Sequence, residues 1–321
     1  MRLSPISGTA IGLGAVAAGG LAYAAGYEVR AFTLRRFTIP VLPAGSASLR
    51  VLHLSDLHLT PGQRKKVQWV RALADLEPDL VVNTGDNMAH PDAVPTVLDA
   101  YEPLLRLPGV FVFGSNDYYA PTPKNPARYL LPTDETPRVQ GIELPWKELR
   151  DELRSAGWVD LTNARATLQV DGRTLAFAGV DDPHLELDEY GAVRGRPDPS
   201  ADLAVGITHA PYRRVLDSML HDGYRLLLAG HTHGGQLCIP GWGALVTNCD
   251  LEPARAKGVS RHPSPNGKAL RRDMIWREGP VGDDDDAAWL HVSAGLGTSP
   301  YAPVRFACRP EASLLTLVGR H

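Results

Sequence analysis

The sequence predicts an α/β fold with mixed sheets. Over residues 49–117, short apolar strands alternate with amphipathic helices, which is typical of a mostly parallel sheet. Further along the chain, the pair Asp171-Gly172 separates two short strands and predicts a tight antiparallel turn. A chain of 321 residues, 44% hydrophobic and 21% charged, is long enough to bury one large core or two smaller ones.

The composition of the chain argues against a nucleic acid partner and against a disulfide framework. The formal net charge is −3, and no basic stripe is interleaved with aromatic residues, so we expect no nucleic acid partner. Three cysteines without C-x-x-C spacing are too few for a disulfide framework, and pairing of Cys238 with Cys249 stays open. Neither the charge nor the cysteine spacing predicts an oligomeric state.

The N-terminus carries an uncharged segment. Residues 6–27 contain 22 residues without a charge, mostly Ala and Gly, which is long enough to span a bilayer as a helix. We therefore expect residues 1–30 to form an N-terminal hydrophobic helix that anchors the protein in the cell membrane. The triplet Ala22-Tyr23-Ala24 also fits a signal-peptidase site, and secretion after cleavage is the alternative.

The rest of the chain divides into a linker and one domain. Residues 31–48 contain Pro40 and Pro43 and are predicted to be a linker. Regular alternation of strands and helices begins at residue 49, so the domain is expected to cover 49–321.

The first predicted strand begins at residue 49 and is followed by Asp56 and His58. Side chains alternate faces along a strand, so two residues separated by one point roughly the same way. This arrangement is half of a metal site. Taken alone, it fits equally well a turn capped by Asp56 with a packed His58.

The next two strands are also followed by polar residues. A helix over 67–76 leads to strand 80–83, which ends in Gly85-Asp86-Asn87. A second helix, 94–107, leads to strand 110–113, which ends in the tetrapeptide GSND at 114–117. Because the carboxyl ends of parallel strands meet at one edge of a sheet, we expect these polar residues to converge with Asp56 and His58.

Histidines follow two strands of the second half. Strand 203–208 is followed by His209, and strand 224–229 by a Gly-rich turn that holds His231 and His233. Glycines allow the backbone to pass close to a bound group, and two imidazoles in such a turn are not typical of packed core histidines. The remaining predicted strands are 158–161, 166–170, 174–180, 290–293, 304–308 and 314–318.

The mixture of side chains indicates the kind of metal. Imidazole and carboxylate together suit Mn²⁺, Fe²⁺ or Zn²⁺, whereas a set of oxygen ligands alone would favour Mg²⁺ or Ca²⁺.

The order of these motifs resembles the calcineurin-like metallophosphoesterases. The matching stretches are SDLH at 55–58, GDN at 85–87, GSND at 114–117, THAP at 208–211 and GHTHGGQ at 230–236. The GGQ extension, AGLGTS at 294–299 and the residues at 305–311 resemble a branch of small bacterial membrane-associated members, some of which cleave lipid-linked or nucleotide-linked phosphoesters. The resemblance implies a four-layer α/β/β/α sandwich with two packed mixed sheets flanked by helices.

The resemblance also implies the site and its reaction. Two divalent ions, Mn, Fe or Zn, would activate a bridging hydroxide that hydrolyses a phosphoester substrate, more specifically a phosphodiester or a pyrophosphate. The implied ligands are Asp56, His58 and His233 for one ion, His209 and His231 for the other, and Asp86 bridging both.

One motif departs from the family pattern. The usual third motif is Gly-Asn-His-Asp or Gly-Asn-His-Glu, in which Asn binds a metal ion and His donates a proton to the leaving group. Here Ser115 stands in the ligand position and Asn116, which cannot titrate, in the position of the acid. If the loop is shifted, Asn116 is itself the ligand, so both are candidate metal ligands, and Asn116 and Asp117 are the candidate catalytic residues. This departure also keeps open a non-catalytic metal-binding scaffold of the same fold.

Two long segments are candidates for contact with the substrate or the membrane. Segment 118–144 is rich in Pro and Tyr and fits either an apolar lid or a surface excursion. Segment 251–288 contains basic residues that could rest on anionic lipid, followed by an acidic run that we interpret as a solvated linker.

Overall fold

The computed structural model describes residues 18–123, 140–264 and 287–320. It contains two six-stranded sheets and one two-stranded hairpin. The strands are β1 (Thr33–Leu42), β2 (Leu49–Leu54), β3 (Leu80–Asn83), β4 (Gly109–Phe111), β5 (Val159–Asp160), β6 (Ala164–Val170), β7 (Arg173–Gly179), β8 (Leu203–Ile207), β9 (Leu226–Ala229), β10 (Cys238–Ile239), β11 (Gly243–Ala244), β12 (Gly258–His262), β13 (Ala288–Val292) and β14 (Glu311–Gly319). The α-helices are α1 (Arg64–Arg71), α2 (Val94–Tyr101), α3 (Ser115–Tyr118), α4 (Trp146–Ser155), α5 (Tyr190–Val193) and α6 (Arg213–Asp222).

Both large sheets mix strand directions. The first has the order β1-β14-β2-β3-β4-β5. In it β2 to β5 run parallel, while β14 is antiparallel to β2 and parallel to β1. The second has the order β12-β13-β9-β8-β7-β6, with antiparallel strands only at its two edges. The prediction of an α/β fold with mixed sheets is confirmed.

Most central strands are buried on both faces, which is why they are apolar throughout. In β2, Val51 belongs to a hydrophobic cluster that also contains Phe177 and Leu228 from the second sheet. Its neighbour Leu52 belongs to another cluster, formed with helices α1, α2 and α4. A third cluster joins the second sheet to α6 through residues such as Leu216. Alternate residues of one strand therefore stabilise different layers.

The predicted linker at 31–48 is wrong for most of its length. Residues 33–42 form β1, which pairs in parallel register with β14 from Thr33 opposite Glu311 onwards. Pro40 is tolerated because β1 is an edge strand of the sheet. The partner strand lies at the other end of the chain, so no local pattern could indicate the pairing.

Two further predictions about strands are corrected. Residues 304–308 contain no strand; a single bridge between Leu237 and Phe306 is formed there. No strand is predicted between 229 and 290, but residues 258–262, within segment 251–288, form β12 against β13.

The described part of the N-terminal segment is a broken helix. Residues 18–22 are α-helical, Tyr23–Tyr27 form a π-turn and Glu28–Arg30 a 3₁₀ turn. Within residues 18–123, 140–264 and 287–320, no helix is long and apolar enough to cross a membrane, and most of the predicted stretch, 6–17, lies outside them. The segment packs on the domain, because Glu28 Oε1 accepts a hydrogen bond of 2.6 Å from the amide of Cys308.

Parts of both long segments also lie outside the described residues. These parts are 124–139, from the segment interpreted as either an apolar lid or a surface excursion, and 265–286, which includes the acidic run. Cys238, Cys249 and Cys308 are free thiols.

Candidate metal centre

Six potential ligands lie just after parallel strands of the two sheets. Asp56 and His58 follow β2, and Asp86 follows β3. The other three come from the second sheet: His209 follows β8, and His231 and His233 follow β9. The convergence expected from the sequence is therefore present.

The backbone at this edge is strained. Five of the six potential ligands have positive φ: Asp56 (51°), His58 (43°), Asp86 (57°), His231 (69°) and His233 (49°). Non-glycine residues seldom adopt this left-handed region, and each such residue costs about 1–3 kcal/mol. Strain of this kind persists where the surroundings impose it, and it concentrates at functional sites.

Four of the side chains form one compact group. Asp56, His58, Asp86 and His233 each offer a ligand atom, and these atoms all lie within 4.8 Å of one another. The Nε2 atoms of His58 and His233 are 3.2 Å apart. His233 Nε2 is 3.6 Å from Asp56 Oδ1.

Asp86 lies between this group and the remaining histidines. Its Oδ2 is 3.4 Å from His58 Nε2, and its Oδ1 is 3.5 Å from His209 Nε2. The ring of His231 meets that of His209 edge-on, with centroids 5.2 Å apart. Each carboxylate oxygen of Asp86 thus faces a different imidazole.

The tautomer of His209 favours a cation at this position. Its Nδ1 is 2.6 Å from the carbonyl oxygen of Thr84, which requires a proton on Nδ1. In the neutral ring, Nε2 then carries a lone pair that faces Asp86. Among the described residues this buried Nε2 has no hydrogen-bond partner. A divalent ion would satisfy both the lone pair and the carboxylate, and the Thr84 carbonyl would orient the ring as outer-shell groups do in metal sites.

Burial sets the protonation of the other imidazoles. It lowers the pKa of His58 to about 4 and the pKa values of His231 and His233 well below the ordinary value. Neutral imidazole is the form that binds metals.

The buried carboxylates of Asp56 and Asp86 favour positive charge beside them. Burial raises the pKa of Asp56 to about 6. Burial also acts to raise the pKa of Asp86, but His209, His58 and hydrogen bonds from Asn116 outweigh it, so that the pKa is lowered. For His209 burial acts to lower the pKa, yet Asp86, Asp56 and Asp182 raise it to about 9.

Asn116, rather than Ser115, contacts Asp86. The amide nitrogen of Asn116 donates to Asp86 Oδ1 at 2.7 Å, and its side-chain Nδ2 donates to Oδ2 at 2.8 Å. Ser115 Oγ lies 3.5 Å from Asn116 Nδ2, which is a weak contact. Of the two candidate ligands, the structure brings only Asn116 to the carboxylate.

Asp117, a predicted catalytic residue, accepts hydrogen bonds from the two loops beside Asp86. It is fully buried, and its Oδ2 accepts hydrogen bonds from the amides of Asp86 (2.7 Å) and Gly114 (3.0 Å). Its Oδ1 accepts from the amide (2.9 Å) and side chain (3.1 Å) of Asn87. The carboxyl group therefore connects the loop after β3 to the GSND turn.

Three glycines leave room for the ligands. A Cβ on Gly230 would lie 2.6 Å from Asp56 Oδ2, and one on Gly114 would lie 2.5 Å from Asp86 Oδ1. One on Gly295, in the AGLGTS stretch, would clash with the Cβ of Asp56. These distances are too short for any side chain, which gives a packing reason for these glycines.

Sequence reasoning missed two groups beside the site. Arg305 is buried, and its Nη2 donates to the carbonyl oxygens of Ala294 and Gly297, both at 2.7 Å, and lies 3.3 Å from His233 Nδ1. The ring of His184 lies 4.4 Å from that of His231, on the loop after β7. The rule that polar residues following a parallel strand face the site could have found His184.

The fold and this cluster define a class of α/β proteins with a histidine–carboxylate metal centre, and comparison with known proteins names the family. Residues 49–235, more than half of the chain, match the calcineurin-like phosphoesterase family. The protein belongs to that family.

Relatives occur in bacteria and in animals. The uncharacterized metallophosphoesterase YkuE of Bacillus subtilis (strain 168) is 26% identical over 322 residues, covering 95% of this chain and 94% of the relative. The transmembrane protein with metallophosphoesterase domain of Danio rerio is 31% identical over 218 residues, which cover 62% of this chain and only 44% of that protein. Among solved structures, the 5'-nucleotidase precursor of Thermus thermophilus aligns with a TM-score of 0.40 and 12% identity, covering 85% of this chain and 55% of that one.

Proposed function

We propose that this protein hydrolyses a phosphoester, specifically a phosphodiester or a pyrophosphate, with two divalent ions (Mn, Fe or Zn) bound side by side. The observation that carries the proposal is the position of Asp86, whose Oδ2 lies 3.4 Å from His58 Nε2 and whose Oδ1 lies 3.5 Å from His209 Nε2. A carboxylate placed in this way is suited to bridge two ions.

In this proposal the ligands divide into two sets. Asp56, His58 and His233 would hold one ion, His209 and His231 would hold the other, and Asp86 would contribute to both. The compactness of the first set supports its assignment. The hydrogen bonds that Nδ1 of His209 donates to the Thr84 carbonyl (2.6 Å) and Nδ1 of His233 donates to the Gly297 carbonyl (3.1 Å) support the orientation of each ring.

Asn116 is proposed as a further ligand of the second ion, in preference to Ser115. Rotation of its amide by half a turn would present the carbonyl oxygen in place of Nδ2, at the position now 2.8 Å from Asp86 Oδ2. Asn116 cannot supply a proton to the leaving group.

When bound, two divalent ions lower the pKa of water and neutralise phosphoryl oxygens. The chain's own residues prepare the site for them. Asp117 holds Asp86 in place through its main-chain amide, and the buried Arg305 fixes the turn that carries His233.

Three finer statements belong to the proposal. The four-layer α/β/β/α arrangement is supported by the three hydrophobic clusters, which hold the two sheets against each other and helices against their other faces. Membership of the small bacterial membrane-associated branch is supported by the GHTHGGQ and AGLGTS stretches. Location at the cell membrane is supported by the absence of charge over 6–27, with secretion as the alternative.

The test is the variant Asp86→Asn. We expect it to lose most of the bound metal, measured by elemental analysis, together with hydrolysis of bis(4-nitrophenyl) phosphate. Asp99→Asn is the matched control, since Asp99 is an exposed carboxylate that pairs with Arg71 and belongs to no ligand group. Wild-type metal content and turnover in Asp86→Asn would reject the dinuclear proposal.

A non-catalytic metal-binding scaffold is the second candidate, favoured by Asn116 in place of a titratable acid. The same experiment separates the two, because a scaffold would bind metal in the wild-type protein without hydrolysing any of a panel of phosphodiesters, pyrophosphates and monoesters.

A further inference from the structure

The exposed apolar side chains of this protein are concentrated on three segments. Of the 11 large hydrophobic residues that are exposed within the described ranges, nine lie on residues 18–27, 237–245 and 301–306. The most exposed is Trp242, at 82%, at the tip of the β10–β11 hairpin. Apolar exposure concentrated in this way marks an interaction surface rather than ordinary scatter.

The three segments are joined into one surface, here called the aromatic surface. The amide of Cys238 in the hairpin donates to the carbonyl of Phe306 at 2.9 Å. The ring of Phe306 in turn meets that of Tyr23 edge-on, with centroids 6.3 Å apart. The amide of Arg305 donates to the carbonyl of Ala24 at 3.2 Å.

The aromatic surface is poor in charge along the chain as well. No Asp, Glu, Lys or Arg occurs in 234–249 or in 287–304, and the N-terminal segment continues the uncharged stretch 6–27. A surface that meets another soluble protein normally has a polar, charged rim, and this one has long uncharged stretches with exposed Trp, Tyr and Leu. Trp and Tyr are the residues enriched where protein meets the lipid headgroups.

The aromatic surface lies at the same edge of the fold as the metal centre. The hairpin follows the turn that carries His233, and Phe306 follows Arg305, whose Nη2 lies 3.3 Å from His233 Nδ1. Residues 237–245 follow β9, the strand that also precedes His231 and His233. Residues 301–306 follow β13, which is the parallel neighbour of β9.

We propose that the aromatic surface inserts into the interface of a lipid bilayer and holds the metal centre against the headgroups. A bilayer, rather than another protein, is the partner of the aromatic surface in this proposal, because the surface is continuous with the uncharged N-terminal stretch and its exposed side chains are apolar. The inference builds on the proposed membrane location, and it implies a phosphoester substrate that resides in or at the lipid surface.

The experiment places the full-length protein in phosphatidylcholine vesicles made with or without brominated acyl chains, which quench tryptophan on contact. The emission of Trp242 is obtained by subtracting the signal of Trp242→Phe, a substitution at an exposed position that leaves the core intact. We expect this emission to shift to shorter wavelength in vesicles and to lose most of its intensity with brominated lipid.

The control is Gln169→Trp in the Trp242→Phe background. Gln169 is exposed on β6 beside the Asp171-Gly172 turn, at the opposite end of the strands from the metal centre. Its added emission should be unaffected by brominated lipid and quenched by acrylamide in the water.

Three results would overturn the inference. If the protein does not associate with vesicles, the membrane location fails together with it. If the protein associates but Trp242 is quenched only by acrylamide, the uncharged N-terminal stretch is a tether and the aromatic surface faces water. If the emission of Trp242 is quenched by neither brominated lipid nor acrylamide, and acrylamide quenches it once the protein is diluted, a second copy of the chain covers the surface. None of these outcomes depends on hydrolysis, so failure here is distinct from failure of the proposed reaction.

Discussion

Replacement of Asn116 by alanine tests the departure from the family motif most directly. The variant removes the amide whose Nδ2 lies 2.8 Å from Asp86 Oδ2, while the main-chain bond to Oδ1 is retained. Loss of a group that binds or orients a metal ligand typically lowers metal affinity or activity by about 10–100-fold. That factor corresponds to about 1.4–2.8 kcal/mol of binding free energy.

Ser115→Ala is the matched partner of this variant. Ser115 Oγ has a weak contact of 3.5 Å with Asn116 Nδ2, so its loss should change metal affinity by no more than about twofold. Both variants change one small polar residue in the same turn, which controls for general disturbance of the loop.

The assay is calorimetric titration of Mn²⁺ into chelator-stripped protein, followed by hydrolysis of bis(4-nitrophenyl) phosphate as the metal concentration rises. We expect the weaker of two binding steps to shift in Asn116→Ala and to remain in place in Ser115→Ala. Circular dichroism checks that both variants are folded. The opposite order of effects would make Ser115 the ligand, and equal wild-type binding in both would remove the motif from the metal centre.

Three other predictions concern the surroundings and chemistry of the centre. Gly230→Ala would place a Cβ against Ser55 Oγ and 2.6 Å from Asp56 Oδ2. We therefore expect about 1–3 kcal/mol of destabilisation in urea unfolding and a clear fall in metal content. Unchanged metal content would refute the packing argument. Because Asn116 cannot protonate a leaving group, kcat should rise steadily as the pKa of the leaving group falls across a series of aryl phosphodiesters, and a flat series would indicate another acid. Burial lowers the pKa of His53 to about 3 and that of His291 well below 6.5, so both stay neutral in the fold while the unfolded chain takes up protons below 6.5. The free energy of unfolding should therefore fall as the pH drops below 6.5. Each of these two histidines should contribute a slope that approaches about 1.4 kcal/mol per pH unit. A free energy of unfolding that does not change with pH in urea titrations would contradict this.

Local patterns in the sequence were enough to predict the mixed α/β class and the positions of six potential metal ligands. Asp56, Asp86 and His209 were found because each follows an apolar strand, and this alternation of strand and polar loop is a local pattern. Parallel strands bring their carboxyl ends to one edge, so the convergence of these residues follows from strand order without any detail of packing.

Features that depend on contacts between distant parts of the chain could not be predicted from local sequence patterns. Residues 33–42 look like a linker because Pro40 interrupts them, and they become a strand because β14, at the far end of the chain, supplies hydrogen-bond partners. Whether Ser115 or Asn116 reaches Asp86 depends on the turn geometry that Asp117 imposes through buried hydrogen bonds. The aromatic surface likewise exists because main-chain bonds bring three separate segments together, and such long-range pairings leave no periodic trace in the sequence.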